Sequence, residues 1–238
     1  MRKGGRDEAP LLLIGTVHRD PRGKSKLLSL LRRERPSVVS VEISPYARIL
    51  RERKSEALRR TLRENLRSIQ REGGRAWKDI LSHGAIQGIF LLLKTPYEWQ
   101  AARVYESETG ALLQDIDLSH VSEEKLSHLP GIVSAENLRT LLSLSFPPLA
   151  EQVEDQYRRA RFLFSHPPAV WLKSQEAAER ESVMARKVRQ LFIRAEGKKL
   201  VHIGGWEHLV ENSGGSSMFG LLRDLCPRRI LLGHGEWG

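Results

Sequence analysis

Only one cysteine, Cys226, occurs in 238 residues, so no intrachain disulfide can form and a small disulfide-stapled scaffold is excluded. Cys226 itself reads as a small buried hydrophobe. No stretch approaches the ~18 continuous apolar residues of a membrane helix; the longest candidate, GIFLLL at 88–93, is far too short. The opening MRKGGRDEAPLLLIG couples basic residues to a short apolar run, but His18, Arg19 and Asp20 follow at once. A signal peptide needs a longer apolar region. A soluble, cytoplasmic protein without membrane insertion is the expectation. No low-complexity linker divides the chain, so a single domain over 1–238 is expected.

What is present supports a real core, since 40% of residues are hydrophobic. Lys and Arg number 39 against 29 Asp and Glu, a net charge of +10, which raises nucleic acid as a partner. Residues 51–75 are the most basic run, with Leu58, Leu62, Leu66 and Ile69 at helical spacing. That pattern is an amphipathic helix with a solvated, ion-paired outer face. No aromatic residue interrupts the run to stack a base, so single-strand binding is not favoured.

Five short runs are apolar at nearly consecutive positions: LLLIGT at 11–16, SVVSVEI at 37–43, ALLQDI at 111–116, KLVHIG at 199–204 and RRILLG at 228–233. Such runs suit strands covered on both faces of a largely parallel sheet. Helical patterns lie between them, over 24–35 (stopped by Pro36), 47–72, 75–93 and 96–108. From 119 to 196 no run reads as a strand. Ser134 caps a helix to about 145, another covers 148–165, and a long one runs from about 169 to 195 before Gly197. The fold class is α/β: a central, mostly parallel or mixed β-sheet flanked by helices, with large helical insertions at about 47–110 and 119–196.

The strand ends carry the chemistry. The first run leads into Gly15-Thr16-Val17-His18, the second ends at Glu42, and the third in Asp115 and Asp117. The fourth leads into Gly205-Trp206-Glu207-His208, a second Gly-x-x-His. Parallel strands place their C-terminal ends on one edge, where α/β proteins bind ligands. Each glycine permits an unusual turn or a close backbone approach, and the histidine three positions on reaches the crevice. A mixed histidine and carboxylate set suits a divalent ion such as zinc, manganese or cobalt. Such an ion activates a water and polarises a carbonyl, as a hydrolase requires. His202 reads as a core residue inside its strand; His83, His120, His128 and His166 read as exposed, and His234 as a residue that can reach the same edge.

These residues resemble the TraB/PrgY and Tiki group of the erythromycin-esterase/ChaN-like superfamily. The likeness covers about 11–210. It consists of GTVH at 15–18, Arg35-Pro36-Ser37-Val38-Val39-Ser40-Val41-Glu42, Arg48 six residues on, Tyr97-Glu98-Trp99-Gln100-Ala101-Ala102, ALLQDID, Glu179-Arg180-Glu181-Ser182-Val183-Met184-Ala185, and GWEH at 205–208. The chain departs from that pattern in carrying bulky Trp206 and Glu207, Ile116 after Asp115, and no C-terminal membrane segments.

The resemblance implies a metal-dependent hydrolase of peptide, amide or ester bonds. A non-catalytic peptide- or haem-binding protein on the same scaffold is the alternative, and a nucleic-acid-associated protein a lesser one; a homodimer is compatible with either. In this reading His18, His208, Glu42 and Asp115 are metal ligands, or the two histidines act without metal as a general base and its partner. Glu42 and Glu98 supply a carboxylate ligand and proton transfer, and Asp115 can also orient a histidine from behind. Glu179 faces the site, and Arg180 holds a substrate carboxylate or an oxyanion. Gly15, Arg48 and Gly205 line the substrate, while Glu207 points away.

Overall fold

Each of the five apolar runs forms a strand, and the five lie parallel in one sheet. The structure is a computed structural model that describes residues 10–168, 174–211 and 215–237. Along the chain run β1 (Leu11–Thr16), α1 (Gly23–Glu34), β2 (Val38–Val41), α2 (Pro45–Gly73), α3 (Trp77–Ser82), α4 (Gly84–Leu92), α5 (Tyr97–Thr109) and β3 (Leu112–Asp115). Then come α6 (Ser119–Ser127), α7 (Leu129–Ile132), α8 (Ala135–Ser143), α9 (Leu149–Ser165), α10 (Gln175–Arg194) and β4 (Leu200–Gly205). A 3₁₀ turn (Trp206–Leu209), α11 (Met218–Leu221), β5 (Arg228–Leu231) and β6 (Gly235–Trp237) complete the order.

The strand order is β3-β2-β4-β1-β5-β6, with β6 antiparallel on β5. β6 is a three-residue strand, Gly-Glu-Trp, without an apolar run to announce it. Side chains alternate across the sheet. Leu12, Ile14, Val39, Val41, Val201 and Ile203 join the core on the face covered by α1, α2 and α5. Leu11, Leu13, Val38 and Leu200 join the core under α9, α10 and α11. Both faces are therefore buried, which is why the strands read as unbroken apolar runs.

The patterns over 75–93 and 169–195 are trimmed. The first splits at His83, which is extended (φ −63°, ψ 124°). Its ring Nε2 lies 3.0 Å from the Leu144 carbonyl oxygen, and a Cβ on Gly84 would sit 2.0 Å from the Pro147 carbonyl oxygen. The loop before α9 thus presses into this break. The second begins at Ser174, whose hydroxyl accepts the Ala177 N–H; residues 169–173 of the expected helix lie outside the described residues. Cys226 is exposed rather than buried, because it sits at a left-handed corner (φ 48°) just before β5. Among the described residues no helix is long and apolar enough to cross a membrane.

Candidate functional site

Parallel pairing of β1 with β4 joins the two Gly-x-x-His stretches from opposite ends of the chain. Gly15 lies beside Gly204 and Thr16 beside Gly205, so His18 and His208 leave the same edge of the sheet from adjacent strands. β2 pairs with β4 on its other side, up to Val41 beside Ile203, and delivers Glu42 to that edge.

The glycines are there for space. Gly205 has an ordinary backbone (φ −58°, ψ 139°). A Cβ on it would lie 3.0 Å from His18 Nε2 and 3.5 Å from both Glu42 Oε2 and His208 Cδ2. Gly15 likewise lies under Trp206, whose Cα would be 3.2 Å from an added Cβ. The turn-forming reason expected for these glycines is therefore absent, and the close-approach reason holds. Gly205→Ala should keep the fold, because its backbone suits alanine, while pushing His18 and Glu42 apart. A circular-dichroism melt within about 3 °C of the parent, with the His18 ring proton resonances displaced, is the expected result. Unmoved His18 resonances would rule this reading out.

Two imidazoles are each backed by a buried carboxylate. His18 Nδ1 donates to Glu98 Oε1 at 2.8 Å. The Thr16 hydroxyl lies 3.0 Å from both Glu98 Oε1 and the Gly204 carbonyl oxygen and can donate to either. Glu98 comes from the first turn of α5 and is 3% exposed. His208 is held at both nitrogens: Nδ1 lies 2.7 Å from Glu181 Oε1, and Nε2 2.9 Å from Glu42 Oε1. An imidazole that donates to a carboxylate from each nitrogen carries both protons and is cationic. Glu42 also accepts from Arg180 (2.7 Å) and from the Gly205 N–H (2.6 Å). Arg180 also donates to Asp117, from Nε at 2.7 Å and from Nη2 at 2.9 Å.

The charges follow from these contacts. Desolvation where the half-exposed ring meets the protein would lower the His18 pKa, yet the Glu98 hydrogen bond and the Glu98 and Glu42 charges outweigh it and raise it to about 9. Burial also opposes the His208 cation, but Glu42 and Glu181 overcome it and raise that pKa to about 10. For Glu42, burial pushes upward while the His208 charge and hydrogen bond, then Arg180 and His18, hold the carboxyl well below its usual range. His202, one layer beneath, is different. Burial dominates and lowers it to about 4, so it is neutral, with Nδ1 3.0 Å from the Ser40 hydroxyl.

The expected residues divide into those brought together and those not. His18, Glu42, Glu98, Arg180, Gly205 and His208 meet, with Gly15 beneath the second motif. Asp115 does not meet them. It pairs with Val41 in register and so shares the face that carries α2, where Arg48 Nε donates to it at 2.9 Å. Arg48 is thereby spent on Asp115 and stacked over Trp99, away from the histidines. Asp117, past the strand end, takes the place at the site expected of Asp115. Glu179 is exposed; Glu181, two residues on, is 2% exposed and holds His208. The signal was periodic: Met184, Val188 and Leu191 are the buried stripe of α10, and a helical period carries that stripe back to 181, not 179. Glu207 is exposed, as expected. His234 packs its ring against Tyr157 at a 55° tilt and lies 3.1 Å from Arg161, in a separate cluster.

A divalent ion would find suitable donor types here, namely His18 Nε2, His208 Nε2 and Glu42, with Glu98 and Glu181 orienting the rings from behind. The His208–Glu42 hydrogen bond must open to admit it. Among the described residues no three His, Cys, Asp or Glu side chains stand ready as a metal-holding group. Comparison of the chain with family models, with curated proteins and with solved structures finds no match.

Proposed function

We propose that the chain is a hydrolase of peptide, amide or ester bonds of the TraB/Tiki type, working at the His18–Glu42–His208 edge. One observation carries the reading: two carboxylate-backed imidazoles from adjacent parallel strands flank a single shared carboxylate. His18 is the accessible member, its side chain 52% exposed, so it is the group a substrate meets. In its neutral form His18 takes a proton from water through Nε2 while Glu98 holds Nδ1–H, which fixes the tautomer. The water oxygen bonds to the acyl carbon, the bond to the leaving nitrogen or oxygen breaks, and His18 returns the proton to the leaving group. The His208 cation, held between Glu181 and Glu42, and Arg180 offset the negative charge of Glu42 that a developing oxyanion would otherwise face.

A metal-assisted form is the second reading. It is favoured by the way both Nδ1 atoms are pinned from behind. His18, His208 and Glu42 would then hold zinc, manganese or cobalt, which supplies a water of lowered pKa.

The test is turnover of a panel of peptide, amide and ester substrates by chelator-treated protein and by protein given each metal. Hydrolysis that rises with pH toward about 9, the value to which His18 is raised, is expected of the chelated form. Activity that appears only with added metal selects the second reading. No turnover in either state, together with a haem Soret band lost in His18→Ala, overturns both in favour of a binding protein.

A further inference from the structure

Resting on the hydrolase reading, we propose that Arg19 selects the substrate. Its guanidinium binds a carboxylate next to the bond cleaved at His18, so the substrate class is N-acyl amino acids and peptides cut at their C-terminal bond.

Two locally unfavourable features converge on this side chain. Arg19 directly follows His18 and has φ 67°, a left-handed conformation that a residue with a Cβ rarely adopts and that clusters at functional sites. Gly88 lies buried at the centre of α4, where glycine weakens a helix. A Cβ there would come within 3.1 Å of Arg19 Nη1. The strained corner aims the side chain, and the missing Cβ makes room for its end.

The guanidinium is also unspent. Arg19 and His18 line the same cavity of about 660 Å³ against the start of α9. Of the three acidic residues on that wall, Glu154 is 3.2 Å from Arg161 and Asp155 is 3.4 Å from Arg158, while Glu151 is exposed to solvent and does not pair with Arg19. Among the described residues no carboxylate pairs with Arg19. Arg180, to which the sequence assigns the substrate carboxylate, already spends Nε and Nη2 on Glu42 and Asp117. The free planar fork beside the accessible histidine is Arg19, and such a fork matches a carboxylate at two points. With the carboxylate so held, water adds to the acyl carbon and the C–N bond breaks. The products are an acid and a free amino acid, the amine taking the proton from His18.

The experiment compares an N-acetyl dipeptide acid with its C-terminal amide on the intact chain, with and without metal. Expected is a kcat/KM preference of at least about tenfold for the acid, falling to about twofold or less in Arg19→Gln and partly kept in Arg19→Lys. Arg19→Gly relieves the left-handed residue, so it should abolish the preference without lowering Tm. A lowered Tm with both substrates slowed alike marks Arg19 as structural and overturns the assignment, as does equal cleavage of acid and amide by the parent. Binding is read in parallel from the His18 ring proton shift. Tighter binding of the acid, lost in Arg19→Gln, with neither peptide cleaved, keeps the carboxylate site and removes the hydrolase reading instead.

Discussion

Glu42→Ala is expected to lower Tm by roughly 10 °C and to leave no measurable turnover. Removing this carboxylate leaves Arg180, the His208 cation and the Gly205 N–H facing one another without their shared acceptor. Breaking a buried pair from one side costs about 3–5 kcal/mol, and about 1 kcal/mol moves Tm by about 2–4 °C in a chain of this size. Glu42→Gln retains an oxygen for Gly205 and should lose less stability while still losing activity. The same contacts set a pH signature in metal-free protein. His208 is raised from 6.5 to about 10, so its stabilisation is fully present below pH 6.5 and is lost as pH rises through 10. Calorimetry over that range in chelator should show a falling Tm for the parent and a flatter curve for Glu42→Ala. An unchanged Tm and a parallel pH curve would refute the shared-carboxylate account.

His18→Asn is the second large effect, and it separates chemistry from folding. The asparagine amide can still donate to Glu98, but nothing replaces Nε2. Tm should stay within about 3 °C of the parent, because the His18 side chain is half exposed. The hydrolytic kcat/KM should fall by about 10²–10⁴, the usual worth of a general base. His208→Asn is the contrasting case. That side chain is 14% exposed and bridges Glu42 to Glu181, a span one short amide cannot cover, so both Tm and activity should drop. If His18→Asn turned over substrate at the parent rate, His18 would not be the base.

The strands were legible because burial on both faces leaves nearly continuous apolar letters, as in LLLIGT and KLVHIG. The two Gly-x-x-His stretches were legible as a pair because parallel strands share an edge. What could not be read was which side of that edge a residue takes. Asp115 and Asp117 both end the third run, yet the sheet register gives the first to Arg48 and only the turn beyond delivers the second to Arg180. Glu181 was written in the stripe of α10 but was masked by the more familiar-looking Glu179-Arg180 beside it. Arg19 carried no signal at all, because neither its left-handed backbone nor the gap at Gly88 can be seen without coordinates.

β1 lies between β4 and β5, and both of those partners come from the last forty residues of the chain. During synthesis at about 5–20 residues per second, β1 leaves the ribosome roughly 10–40 s before β4 exists to pair with it. Through that interval an apolar strand waits with both edges unpaired, the condition that invites aggregation. The nascent chain has a stake in chaperones, then, and any product cut short before residue 200 has half a site and a sticky strand.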